Sequence, residues 1–175
     1  MRMLALFPLA MALSAASLPA QFISDHPTLP QQKQAQSVEF IAPLKIELPA
    51  SGPTRVQLQF RVAPGLHINS HTPHDTFLIP TALTLAVAQG VRLESVSYPK
   101  GHDVTLPVDP KTKLEVYTDL FVLDATLAAT PGHHTVQASL RYQACDQNQC
   151  RPPSTLPVTL EIEGRSHADR TWSGP

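Results

Sequence analysis

Charge, glycine and aromatic rings are all scarce in this 175-residue chain: charged residues make up 15%, aromatic residues 6%, and glycines number seven. Thirteen Lys and Arg against fourteen Asp and Glu leave no basic stripe for nucleic acid and no polybasic patch for a membrane surface. Long apolar runs are missing too. The longest, residues 3–13, falls short of the roughly 20 residues that span a bilayer, so no membrane insertion of the mature chain is expected. There is no Gly-x-Ser-x-Gly elbow, no phosphate-cradling glycine loop and no dinucleotide fingerprint. Cysteine is limited to two residues, Cys145 and Cys150.

Proline, by contrast, is abundant, with eighteen residues. Interior proline removes a backbone donor and clashes with the preceding helical turn, so long helices are excluded and an all-β domain with proline-marked turns is expected. Residues 1–20 read as a secretory signal: a basic start at Arg2, an apolar run and a small-residue exit, with cleavage after Ala16 or Ala20. Residues 21–37, with Pro27, Pro30 and several glutamines, show no period and read as a flexible leader. The domain is expected over residues 38–164, followed by a disordered polar tail at 165–175.

Inside the domain, apolar residues alternate with polar ones in short runs: Leu44, Ile46 and Leu48; Val56, Leu58, Phe60 and Val62; Leu83, Leu85 and Val87. Further runs cover residues 91–98, 114–127, 135–142 and 156–162, with turn signals such as Ser51-Gly52-Pro53, Pro99-Lys100-Gly101 and Pro131-Gly132 between them. This is the period of strands with one buried face. About seven such strands at this spacing predict an immunoglobulin-like β-sandwich. In the last two runs Val136, Ala138, Leu140 and Tyr142 share one face, as do Leu156, Val158, Leu160 and Ile162. Antiparallel pairing would make the intervening segment a hairpin with both cysteines at its base, their Cα atoms about 4.5 to 5.5 Å apart. Pro157 cannot donate to a ladder and is expected on an edge or outward-facing side.

The cysteines lie in Tyr142-Gln143-Ala144-Cys145-Asp146-Gln147-Asn148-Gln149-Cys150-Arg151-Pro152-Pro153. Behind an export signal such a pair is either a staple or a redox device. Closing a loop of this length stabilises a fold by only about 2 kcal/mol, which favours electron exchange, while a secreted binding sandwich with a permanent staple stays as the alternative. On charge alone, Arg151 favours a thiolate at Cys150 and Asp146 disfavours one at Cys145, making Cys150 the better attacking thiol.

Tyr-Gln-Ala-Cys, four residues, then Cys-x-Pro-Pro and an alternating strand resembles the N-terminal domain of DsbD, the bacterial transmembrane thiol:disulfide interchange protein. Upstream the resemblance continues in order through Gly65-Leu66-His67-Ile68-Asn69-Ser70, Phe77-Leu78-Ile79-Pro80-Thr81, Tyr98-Pro99-Lys100-Gly101 and Glu115-Val116-Tyr117. It implies an immunoglobulin-like fold and a periplasmic location. It also implies a cysteine pair that takes electrons from a thioredoxin-like domain and passes them to disulfide isomerases and cytochrome c maturation thioredoxins, without a cofactor. By the same resemblance Cys150 forms mixed disulfides and Cys145 resolves them, with Tyr142, Asp146 and Arg151 as neighbours. No membrane helix or thioredoxin-like domain is present here, so donor and acceptor are expected to be separate thioredoxin-like proteins, with a separate membrane electron transporter behind them.

The family's site is covered by a loop bearing an acidic residue and a phenylalanine. The corresponding residues 102–113 contain Asp103 and Asp109 but no aromatic ring, so the cover is expected from Leu106, Pro107, Val108, Asp109 and Pro110. A competing site is His67, His71 and His74, whose spacing suits a zinc-binding helix better than the proline-flanked strand and loop in which they lie. His133 and His134 read as a solvated turn.

Overall fold

The computed structural model describes residues 36–49, 52–107 and 109–166. The expected signal segment, the leader as far as residue 35, Val108 and residues 167–175 lie outside them. The described chain forms β1 (Val38–Ala42), β2 (Lys45–Leu48), β3 (Thr54–Val62), β4 (His67–Asn69), β5 (Ala82–Leu85), β6 (Val91–Ser97), β7 (His102–Leu106), β8 (Asp109–Tyr117), β9 (Leu120–Ala129), β10 (Gly132–Tyr142), β11 (Ala144–Cys145) and β12 (Ser154–Gly164), with no helix among the described residues.

Alternation is satisfied most fully in β10 and β12. Val136, Ala138, Leu140 and Tyr142 are buried, as are Leu156, Val158, Leu160 and Ile162, and the strands pair antiparallel from Gly132 opposite Gly164 to Tyr142 opposite Ser154. They form the middle of one sheet, ordered β2-β12-β10-β5. A second sheet, β1-β3-β9-β6, supplies Leu58, Phe60, Val62, Phe121, Leu123, Ala125 and Leu127 to the same apolar cluster. The result is an immunoglobulin-like β-sandwich. Pro157 points outward opposite Ser139, and β2 meets β12 only from Glu161 to Gly164, so the missing donor falls where β12 has no second neighbour.

A third sheet, β11-β4-β8-β7, stands beside the sandwich. The alternating run at 114–127 hides this feature, because the pattern passes through a corner without interruption. At Thr118 and Asp119 the chain leaves β8 and enters β9 in a different sheet, with Asp119 at φ 49° and its carbonyl accepting from the Val62 amide at 2.8 Å. The sheets are tied by aromatic rings. Phe40 tilts against Phe60 with centroids 5.2 Å apart, Phe60 stacks on Phe121 of the adjacent strand at 5.4 Å, and Tyr117 of β8 continues the row 5.0 Å from Phe121. Offset contacts of this kind add about 0.5 to 1.5 kcal/mol each beyond burial.

Two residues read as inward-facing are not. Leu44 lies in the bend between β1 and β2 and is exposed. Val87 lies past the end of β5, where Ala86 still donates to Gln137 but the chain then turns toward Gly90, leaving the side chain in solvent.

Gly164 closes the long ladder where no side chain fits, since a Cβ there would collide with the backbone carbonyl of Thr130. Gly164→Ala should therefore destabilise the domain by about 1 to 3 kcal/mol, seen as a lower denaturant midpoint with the disulfide unchanged.

Candidate functional site

The site begins where β10 leaves the sandwich. The Gln143 side chain bridges two elements: its Oε1 accepts from Asn69 Nδ2 at 3.3 Å and its Nε2 donates to the Arg151 carbonyl at 3.2 Å. The next two residues, β11, pair with β4, placing Ala144 opposite Ile68 and Cys145 opposite His67. A tight turn follows, in which the Asp146 amide donates to the Gln149 carbonyl at 3.0 Å. Asp146 Oδ1 accepts from the amides of Asn148 and Gln149 at 2.8 and 2.9 Å. Asp residues favour such turns because the carboxylate satisfies amides two and three residues on. Cys150 then returns opposite Cys145, and the Arg151 amide donates to the Ala144 carbonyl at 2.8 Å.

Cys145 and Cys150 form a disulfide. The expectation put them at the base of the β10–β12 ladder. They occupy instead a narrower hairpin of their own, because β11 departs to join β4, and their Cα atoms are 3.9 Å apart, closer than ordinary ladder spacing. Their environments differ sharply. Cys145 is 1% exposed, whereas Cys150 is open to solvent.

Tyr142, Asp146 and Arg151 all border this hairpin, in different ways. The Arg151 guanidinium donates to Ser37 Oγ at 3.0 Å, just ahead of β1, and its charge acts on both Tyr142 and Asp146. Burial pushes the Tyr142 phenol up. The amides of Asn148 and Gln149 hold the Asp146 carboxyl below the usual carboxylate range, so it is ionised near neutral pH.

The expected cover is not over the disulfide. Ile68 faces Tyr117 and Asn69 faces Val116, which puts His67 and Cys145 in the row of Thr118. The β7–β8 hairpin runs the other way, to a tip where Leu106 faces Asp109. From Thr118 to Asp109 is nine residues, roughly 30 Å at strand rise. Leu106, Pro107, Asp109 and Pro110 therefore belong to the far end of the third sheet, and Val108 lies outside the described residues. Ladder register decides this, and composition could not reveal it.

The three histidines considered for zinc diverge. His67 is buried in β4. The His71 ring stacks on Tyr98 at 3.6 Å with Nδ1 2.8 Å from the Thr81 carbonyl, and His74 Nε2 lies 3.0 Å from Asp103 Oδ1. Among the described residues no three metal-ligating side chains gather. His133 bonds instead to Glu161 at 3.0 Å, on the exposed face of the long ladder.

His67 is the neighbour that spacing did not reveal, since nothing in the sequence links residue 67 to residue 145 except the strand pairing. It is 8% exposed, and its Nε2 has no protein hydrogen-bond partner. Burial pushes its imidazole below the ordinary histidine range; the Asp146 carboxylate opposes that shift and His102 reinforces it.

The site is thus a half-exposed disulfide in an edge hairpin beside an immunoglobulin-like sandwich. Residues 32–162 match the family model described as thiol:disulfide interchange protein DsbD, N-terminal, and the chain belongs to that family. Among solved structures it is similar to the N-terminal periplasmic domain of ScsB from Proteus mirabilis, with 13% identity over 77% of this chain and 49% of that one and a TM-score of 0.51. Two Neisseria meningitidis structures are also similar. One is the reduced DsbD N-terminal domain, with 20% identity over 66% of this chain and 86% of that one and a TM-score of 0.41. The other is the complex of the DsbD and PilB N-terminal domains, with 19% identity, 76% and 87% coverage and a TM-score of 0.45. The ScsB likeness speaks to the fold alone. No curated protein matches the sequence.

Two outcomes follow from this geometry. Reducing the pair should leave the fold intact and cost about 2 kcal/mol or less, because the closed loop is short; thermal melts with and without reductant measure this, and unfolding on reduction would count for a staple. Asp146→Ala removes two hydrogen bonds, donated by the Asn148 and Gln149 amides, that hold the turn, each worth about 0.5 to 1.5 kcal/mol. With about half of that total appearing in the barrier, reduction by a small nonspecific thiol should accelerate roughly two- to tenfold.

Proposed function

We propose that this domain is a periplasmic exchange module in which Cys150 attacks a partner disulfide and Cys145 resolves the mixed disulfide. The observation that carries this is the asymmetry of one bond: Cys150 is solvent-facing while Cys145 is 1% exposed and held against β4. In this reading a bulky partner meets the sulfur of the exposed residue first, and the inner sulfur then attacks the mixed disulfide. Arg151 follows Cys150 directly, and the division of roles agrees with the family resemblance. No cofactor is needed, since electrons move as sulfur–sulfur bonds form and break.

The partners of this reading are thioredoxin-like periplasmic proteins on both the donor and acceptor sides, with a separate membrane electron transporter supplying reducing equivalents. The pairing of DsbD and PilB N-terminal domains in the Neisseria structure supports a protein partner of this kind. The segmentation that goes with it is a signal at 1–20, a leader at 21–37, the exchange domain at 38–164 and a tail at 165–175. Among the described residues no helix is long and apolar enough to cross a membrane.

Single-cysteine variants test the roles. Cys145→Ala should accumulate mixed disulfides through Cys150, and their masses identify the partners; Cys150→Ala should accumulate none. Equal trapping by both would remove the assignment. The reduction potential separates exchange from stapling: a value above about −300 mV fits an exchange-active pair, whereas structural disulfides of secreted proteins fall below it.

A further inference from the structure

Resolution of a mixed disulfide asks something specific of Cys145. Its sulfur must act as a thiolate, yet a site 1% exposed to solvent disfavours a bare charge. The proton has to go to a group inside the fold. Directly opposed residues of an antiparallel ladder project from the same face, with Cβ atoms about 4.5 to 5.5 Å apart. Cys145 and His67 are such a pair. His67 is itself more than nine-tenths buried, and its Nε2 has no protein partner.

We infer that His67 is the proton acceptor for the Cys145 thiol in the resolving step, a role that rests on the proposed division of labour between the cysteines. The step balances as follows. The Cys145 S–H bond breaks and its proton goes to Nε2 of His67. The electron pair left on Cys145 forms the bond to the Cys150 sulfur. The bond from Cys150 to the partner sulfur breaks, and its electron pair leaves on the partner as a thiolate, which takes up a proton from the imidazolium or from water. Over both steps the cysteine pair is oxidised by two electrons and the partner disulfide is reduced by two.

The groups facing the imidazole suit that role. Burial and His102 of β7 keep it neutral and able to accept, while the Asp146 carboxylate, on the turn after β11, stabilises the imidazolium once formed. His102 is in turn placed by Thr118, whose Oγ1 is 3.4 Å from its Nε2. The mechanism above otherwise gives no reason for burying a titratable ring in β4.

A two-phase reaction with dithiobis(nitrobenzoate) isolates the step. The reduced wild-type domain releases one coloured thiolate when Cys150 attacks and a second when Cys145 resolves. In His67→Gln, which keeps a polar side chain but cannot take the proton, the second phase should slow relative to the first by the order of a hundredfold near neutral pH, the lower end for a positioned general base. The deficit should close as pH rises past the thiol's own range, where no acceptor is needed. A second phase unchanged relative to the first overturns the role. If His67→Gln does not fold, the wild-type profile decides: a second-phase inflection below the ordinary histidine range supports the acceptor, and one at the thiol's range alone overturns it. Cys145→Ser separates this from failure of the underlying reading. Release of one equivalent from that variant upholds the cysteine roles whatever His67 does; no release withdraws those roles and the inference with them.

Discussion

A two-residue strand governs this molecule. By pairing Cys145 with His67 and Ala144 with Ile68, β11 pins one sulfur of the disulfide inside the third sheet, while the turn that follows carries the other sulfur back to solvent. Were the chain to continue straight from β10 through the cysteines to β12, both would lie in the same ladder and share one exposure. The departure at Gln143 makes the pair asymmetric. That residue marks the handover, with its side chain bonded to Asn69 on one side and to the Arg151 carbonyl on the other.

The sandwich makes so short a strand sufficient. Eight inward side chains on β10 and β12 anchor both ends of the cysteine segment, and each large one contributes about 1.5 to 3 kcal/mol by burial. Each large one is comparable to the whole stabilisation of about 2 kcal/mol that closing this short disulfide loop supplies by restricting the unfolded chain. The ladder therefore carries far more of the stability than the disulfide does. The aromatic row from Phe40 to Tyr117 extends this rigidity into the third sheet, where the Tyr117 hydroxyl donates to the Pro99 carbonyl at 2.9 Å and accepts from the His71 amide at 3.1 Å.

Alternation made the sandwich legible because each long strand has one face in the core, and period two is the direct imprint of that. It failed where strands are short or face solvent on both sides. His67–Asn69 is buried at every position, β7 is largely exposed and β11 has two residues, so none shows a period. The corner at Asp119 escaped notice because the apolar pattern runs across it. At the site, the cysteines and their charged neighbours were visible from spacing and charge. The His67 contact and the direction of the β7–β8 hairpin were not, because both depend on register between strands far apart in sequence.

The bonds that shape the cysteine hairpin involve no sulfur. The Arg151 amide reaches the Ala144 carbonyl, the Asp146 amide reaches Gln149, the Asp146 carboxylate holds two further amides, and β11 pairs with β4. All of these are available to the reduced chain, so the two thiols are held near bonding distance without the bond between them. A pair held in this way needs little reorganisation between its oxidised and reduced forms, and under the roles proposed above exchange would turn on access to Cys150 and on the fate of the Cys145 proton. The third sheet is packed into the same apolar core through Ile68, Tyr117 and Ala144, so the core that holds β10 and β12 also fixes β11, the strand that carries Cys145.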